Sequence, residues 1–164
     1  MFTALGIVLP FLTMIPQIGN AFLLMHLPIM VCAVVCGGTT AAIVGFITPL
    51  LRSTMFFLPV MYPNAVGMAF ELAAYGFFLG IFFKMFPKKL PYYYISLILS
   101  MLLGRVVWGT VRFLMLALDS AGAPFTFTIF INNAFVNAVP GMILQLLFIP
   151  LLTAYLQRKT DLPI

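Results

Sequence analysis

The chain has 164 residues, 64% of them hydrophobic and only 7% charged, with a mean hydropathy of +1.20. A soluble domain of this length has too much surface for its volume to hide so much apolar area, so lipid is the solvent for most of the chain and the soluble enzyme classes drop out. The formal charge of +5 does not indicate nucleic acid, because the positive residues sit at the ends of apolar runs or inside them and make no patch.

The start, "MFTALGIVLP", is already apolar and lacks the basic region of a signal peptide. It reads as the first span itself, from about Met1 to Ile15. The stretch "PQIGNAFLLMHLP" follows. Pro16, Gly19, Asn20 and Pro28 break helical continuity there, which predicts a loop or a partly re-entrant segment. In "PIMVCAVVCGGTTAAIVGFITPLL", Gly37 and Gly38 divide two short helices of roughly 10–14 residues, each too short to cross upright alone. Arg52 ends this pair, and "STMFFLPVMYP" reads as a second loop.

The fourth span runs from about Asn64 to Phe83 and contains Glu71. "KMFPKKLP" is a tight basic turn. The fifth span, from about Tyr92 to Leu118, carries Arg105 and Arg112. "DSAGAP" has turn chemistry, and the last span, from about Phe125 to Leu156, includes Pro140 and Pro150 and should bend. The expectation is an all-α integral membrane protein, a six-helix transmembrane bundle formed by one domain over residues 1–164. Lys84, Lys88, Lys89, Arg158 and Lys159 share one side if both termini are cytoplasmic, so the positive-inside rule predicts N-in, C-in.

Cys32 and Cys36 are the only cysteines. One helical turn apart, they are poorly placed for a disulfide and read as small apolar packing residues. One histidine and two cysteines make no metal-ligand set. No H-E-x-x-H, G-x-S-x-G or P-loop motif occurs, so the expectation is a protein that is not an enzyme and needs a partner for any ATP-driven step.

The polar residues inside the spans carry the functional signal. Arg105 and Arg112 are seven residues apart and so share a helix face with Trp108 between them. Gly104 and Gly109 flank this stripe and permit close helix approach. An arginine at the centre of a span costs about 2.5–3.5 kcal/mol on insertion scales, so each must meet a partner or water. Glu71 is the only acid within a span. Counted from the outer helix ends, it lies at the depth of Arg112, which predicts a Glu71–Arg112 pair. Asn133 and Asn137, with Asn132 adjacent, should point inward from the last span. Gln17, Asn20, His26, Tyr62 and Asn64 complete an outer rim. Polar glue between helices would explain Glu71 or Asn137 singly. A positive surplus beside an aromatic and several amides instead fits a water-accessible pocket for a carboxylate-bearing ligand.

Two stretches, "FLLMHLPIMVCAVVCGGTTAAIVGFITPLLRS" and "PVMYPNAVGMAFELAAYGFFLGIFFK", together with "LGRVVWG" in the fifth span, resemble the substrate-binding S components of energy-coupling factor (ECF) vitamin transporters. The resemblance covers nearly the whole chain. It implies a receptor in the prokaryotic plasma membrane, crossing it several times, that captures a vitamin from outside and has no cofactor. It implies association with a transmembrane coupling subunit and two ATPases, and toppling in the bilayer to carry the pocket inward. It places substrate binding on Glu71, Arg105, Trp108, Arg112, Asn133 and Asn137, with Asn64 and His26 at the rim. Members often carry an A-x-x-x-A docking patch on the first span. Here Ala4, Gly6 and Val8 match it imperfectly, and Ala41 and Gly45 in "AAIVGF" share that expected role. The positive surplus favours pantothenate first, with niacin or lipoate next, while a pyridoxine-type ring would use Trp108 and the asparagines. The alternative is a stand-alone transporter or channel that uses Glu71, Arg105 and Arg112 as an intramembrane charge relay.

Overall fold

The computed structural model of the chain describes residues 1–10, 24–87, 89–118 and 138–159. Among them lie six α-helices and no strand. We number them α1 (Phe2–Val8), α2 (His26–Cys36), α3 (Gly38–Phe56), α4 (Val66–Met85), α5 (Leu90–Leu118) and α6 (Val139–Lys159), with a short π-helical turn, Met61–Ala65, leading into α4.

Among the described residues, three stretches are long and apolar enough to cross a membrane: Gly38–Phe56, Met61–Met85 and Leu90–Met115. The first of these corrects the expectation of two short helices. Gly37 does interrupt the chain, with φ 88 and ψ 166, a backbone geometry that favours glycine and ends α2. The following helix, however, runs through Arg52 to Phe56 for 19 residues, about 28 Å at 1.5 Å per residue. Pro49 lies inside it. The start of α2 also differs from expectation. Pro28 does not delay the helix, because it falls in the first turn of α2, where its missing N–H would have no intrahelical partner anyway. The remainder of the expected first span, and the expected last span before Ala138, lie outside the described residues.

Two seams hold the described bundle. The first joins α3 to α4 through backbones in direct contact. A β-carbon on Gly45 would sit 2.6 Å from the Leu72 carbonyl oxygen, and one on Gly76 would sit 2.7 Å from the Ala41 carbonyl carbon; Gly38 and Gly80 also meet. In lipid, where apolar burial between helices gives no net drive, such close approach supplies the dispersion contact.

The second seam joins α4 to α5 across the basic turn. Phe83 stacks on Tyr93 with ring centroids 5.2 Å apart. Further along, Glu71 meets Arg105, Asn64 meets Arg112 and the Tyr62 hydroxyl donates to the Met115 carbonyl at 3.2 Å. In the sequence, position 88 lies midway between the members of each pair, to within one residue. The turn therefore sets the antiparallel register along the whole seam. The core where α2, α4, α5 and α6 converge is apolar, built around Met30, Tyr75, Leu79, Leu97, Met101 and Ile149.

Candidate functional site

The polar residues of α4 and α5 fall into two tiers because of that register. In the inner tier, Arg105 Nη1 lies 2.8 Å from Glu71 Oε1, and His26 Nε2 lies 3.9 Å from the same oxygen. All three residues are buried. Tyr75, one turn from Glu71, seats its ring edge-on to His26, centroids 5.2 Å apart. The close approach of Gly104 makes this possible, since a β-carbon there would lie 3.0 Å from the Tyr75 ring. The inner tier is polar beyond its own pairing. The Arg105 Nε and Nη2 groups and both His26 ring nitrogens are buried with no hydrogen-bond partner among the described residues.

The outer tier lies about two helical turns further along α5. The Arg112 Nη1 group donates to Asn64 Oδ1 at 3.1 Å. Its guanidinium carbon also stands 5.7 Å from the centre of the Trp108 ring, within cation–π range. Gly67 makes room for both side chains, because a β-carbon there would touch Trp108 Nε1 and Arg112 Cδ at 3.4 Å. Asn64 and Tyr62 are exposed. Continued from the approach of Gly45 to Leu72, the α3–α4 register puts half-buried Arg52 at about the level of Ala65.

These placements revise the expected contacts. Glu71 pairs with Arg105, not with Arg112. Counting depth from the helix ends misleads because α5 extends beyond the start of α4, whereas counting outward from the short connection between α4 and α5 gives the observed partners. His26 is no rim residue. It lies at the first position of α2 and is 1% exposed, because the helix starts early enough to carry it down to Glu71. Asn133 and Asn137, like Gln17, Asn20 and Asn132, lie outside the described residues.

The expected docking residues divide. Ala4 and Val8 are exposed on one face of α1. Gly6 is buried, and a β-carbon there would lie 2.7 Å from Thr48 Cγ2, so it packs α1 on α3. Ala41 and Gly45 are buried in the α3–α4 seam and offer no outer face. Small residues allow close approach without saying which helix approaches, and here the neighbour is α4 of the same chain.

Among the buried residues with polar groups that have no place in the sequence reading are Tyr75 and Gln145. Tyr75 was detectable as the residue one turn after Glu71 on the same face. Gln145 was detectable as the lone polar residue in "MILQLLF". Among the described residues no three of His, Cys, Asp and Glu come together as a metal site.

Chemically, the arrangement is a set of polar residues with a positive surplus. Among the described residues it holds Arg52, Arg105 and Arg112 against Glu71 alone. A guanidinium presents a planar fork of donors that suits a carboxylate, and the Trp108 face beside it suits a flat or apolar body.

Comparison with known families gives one match. The family described as "ECF transporter, substrate-specific component" matches residues 1–159. No curated protein and no solved structure matches the chain.

Proposed function

The chain belongs to the substrate-specific components of ECF transporters, and from that premise we propose that it is the receptor for a small vitamin bearing a carboxylate, with pantothenate the first candidate. The observation that carries this reading is the inner tier. Arg105 is 5% exposed, is engaged by Glu71 through Nη1 and has the Tyr75 hydroxyl beside it, yet its Nε and Nη2 make no well-formed hydrogen bond among the described residues. A guanidinium at membrane depth with unmet donors is costly, and a ligand carboxylate meets that cost with two charge-assisted hydrogen bonds. Arg112, Trp108 and Asn64 then serve as the entrance, and Asn133 and Asn137 as further ligand contacts.

The remaining features of the receptor follow the same reading. The protein works in a prokaryotic plasma membrane with both termini in the cytoplasm, as the basic turn at Lys84, Lys88 and Lys89 and the basic end at Arg158 and Lys159 suggest. It hands its ligand to a coupling subunit driven by two ATPases, docking through the exposed Ala4 and Val8 of α1.

The test is ligand identification. The protein is purified in mild detergent and denatured, and the released small molecules are identified by mass spectrometry. Thermal-shift titration with water-soluble vitamins runs alongside. A retained carboxylate vitamin that raises the melting temperature is expected. A protein that retains none, and that no vitamin stabilises, would refute the receptor reading.

A further inference from the structure

Gln145 lies on α6 with no exposed surface, and neither its Oε1 nor its Nε2 has a hydrogen-bond partner among the described residues. The buried hydroxyls of α5 and α6 behave differently. Ser96, Ser100 and Thr153 each donate to a carbonyl of their own helix at 2.8 Å, the usual way a hydroxyl is accommodated in an apolar helix. A glutamine cannot satisfy both ends of its carboxamide in this way, and burying it unmet is costly at each end. Packing alone would have favoured leucine or methionine at this position.

Its surroundings point to the site. Met142 and Ile149, on either side of Gln145 along α6, both pack into the cluster that contains Tyr75 and Met101. Tyr75 in turn floors the inner tier, against His26 and Gly104. Gln145, fully buried between Met142 and Ile149, therefore faces the packed interior of the bundle rather than lipid.

We propose that Gln145 is the neutral reader of the ligand site. Its carboxamide exchanges one donated and one accepted hydrogen bond with an amide or hydroxyl group of the same small acid whose carboxylate meets Arg105. The proposal rests on the receptor reading above and narrows it. The substrate class becomes small acids that carry a neutral donor and acceptor, such as pantothenate, and acids with a wholly apolar body, such as lipoate, are disfavoured. A site built to hydrogen-bond a substrate group rejects the analogue lacking it, because the buried partner is then left unmet.

The test uses the full chain in detergent, as wild type, Gln145→Leu and Gln145→Met. Co-purified small molecules are quantified by mass spectrometry, and pantothenate and lipoate are titrated calorimetrically. The expected result is that the wild type retains, or binds on titration, an acid carrying an amide or hydroxyl. Both variants should lose at least tenfold in its retention or affinity while melting, free of ligand, no lower than wild type. Gln145 is displaced from the site, with the receptor reading intact, if both variants hold the acid as tightly as wild type or if the preferred acid has no such group. Ligand-free variants that both melt far below wild type would make Gln145 a structural residue and also overturn the proposal. A wild type that retains no acid and binds neither probe removes the receptor reading itself, and the proposal with it.

Discussion

The inner and outer tiers use the same residue type for different ends. Arg105 and Arg112 sit on one face of α5, yet Arg105 is buried against a carboxylate while Arg112 is half-buried on an exposed amide and an indole face. A buried ion pair in a low-dielectric interior cannot lose one member cheaply, because the other is left as an uncompensated charge. The partners described for the outer arginine, an exposed amide and an indole face, carry no charge that its removal would strand. The inner tier is thus tied to the integrity of the bundle as well as to the proposed ligand carboxylate, whereas the outer tier, the proposed entrance, can change with less effect on the fold.

The largest expected effect tests the inner tier. Glu71→Ala should lower stability by about 3–5 kcal/mol, because it strands the Arg105 charge, as read by chemical or thermal unfolding in detergent. The double replacement Glu71→Leu with Arg105→Met should recover much of that loss while abolishing ligand binding. If Glu71→Ala unfolds like wild type, the inner tier is wetter than its burial indicates and the contrast between tiers collapses.

Next comes Arg112→Ala, which should weaken ligand binding by about 1.5–3 kcal/mol, the range for a hydrogen bond to a charged group. The ligand-free melting temperature should hardly move. A large drop in melting temperature with unchanged affinity would reverse the roles assigned to the two arginines.

Smaller in energy, Gly45→Ala probes the frame that presents both tiers. The added methyl group would meet the Leu72 carbonyl at 2.6 Å, so α3 and α4 must move apart at a cost of about 1–3 kcal/mol, typical of overpacking. The shift should be visible as a lower melting temperature with the ligand preference retained. The smallest effect belongs to Tyr62→Phe. It removes one exposed hydrogen bond to the Met115 carbonyl, worth about 0.5–1 kcal/mol, and should slightly speed ligand release without changing which ligand is bound.

One further substitution separates capture from delivery. Ala4→Leu lies on the exposed face of α1. It should spare ligand binding and impair transport when the receptor is reconstituted with the coupling subunit and ATPases. Lost binding would point instead to a disturbed fold.

Much of this was legible in the sequence. Apolar runs of about 20 residues marked Met61–Met85 and Leu90–Met115, and the seven-residue spacing of the arginines fixed their common face. Gly37 marked the break between α2 and α3. The length of α3 was harder to read, because Thr48, Arg52 and Ser53 dilute its apolar pattern near the end and Pro49 suggests an interruption. Yet Thr48 donates its hydroxyl to the Val44 carbonyl at 2.6 Å and the helix continues. The role expected of Ala41 and Gly45 failed for a related reason. A small residue shows that a neighbour can come close, and both helices of the same chain and partner subunits compete for that place.

By itself the sequence determined the solvent, the helical class, the faces on which the charged residues stand and the excess of positive charge, because hydropathy and helical period are local properties of the chain. Only the tertiary structure decided that Glu71 meets Arg105, that His26 joins them and that Gln145 is fully buried. Those facts depend on the axial height of one helix against another, which periodicity leaves open. Here that height is set by the turn around residue 88 and by glycine seams that bring backbones into contact.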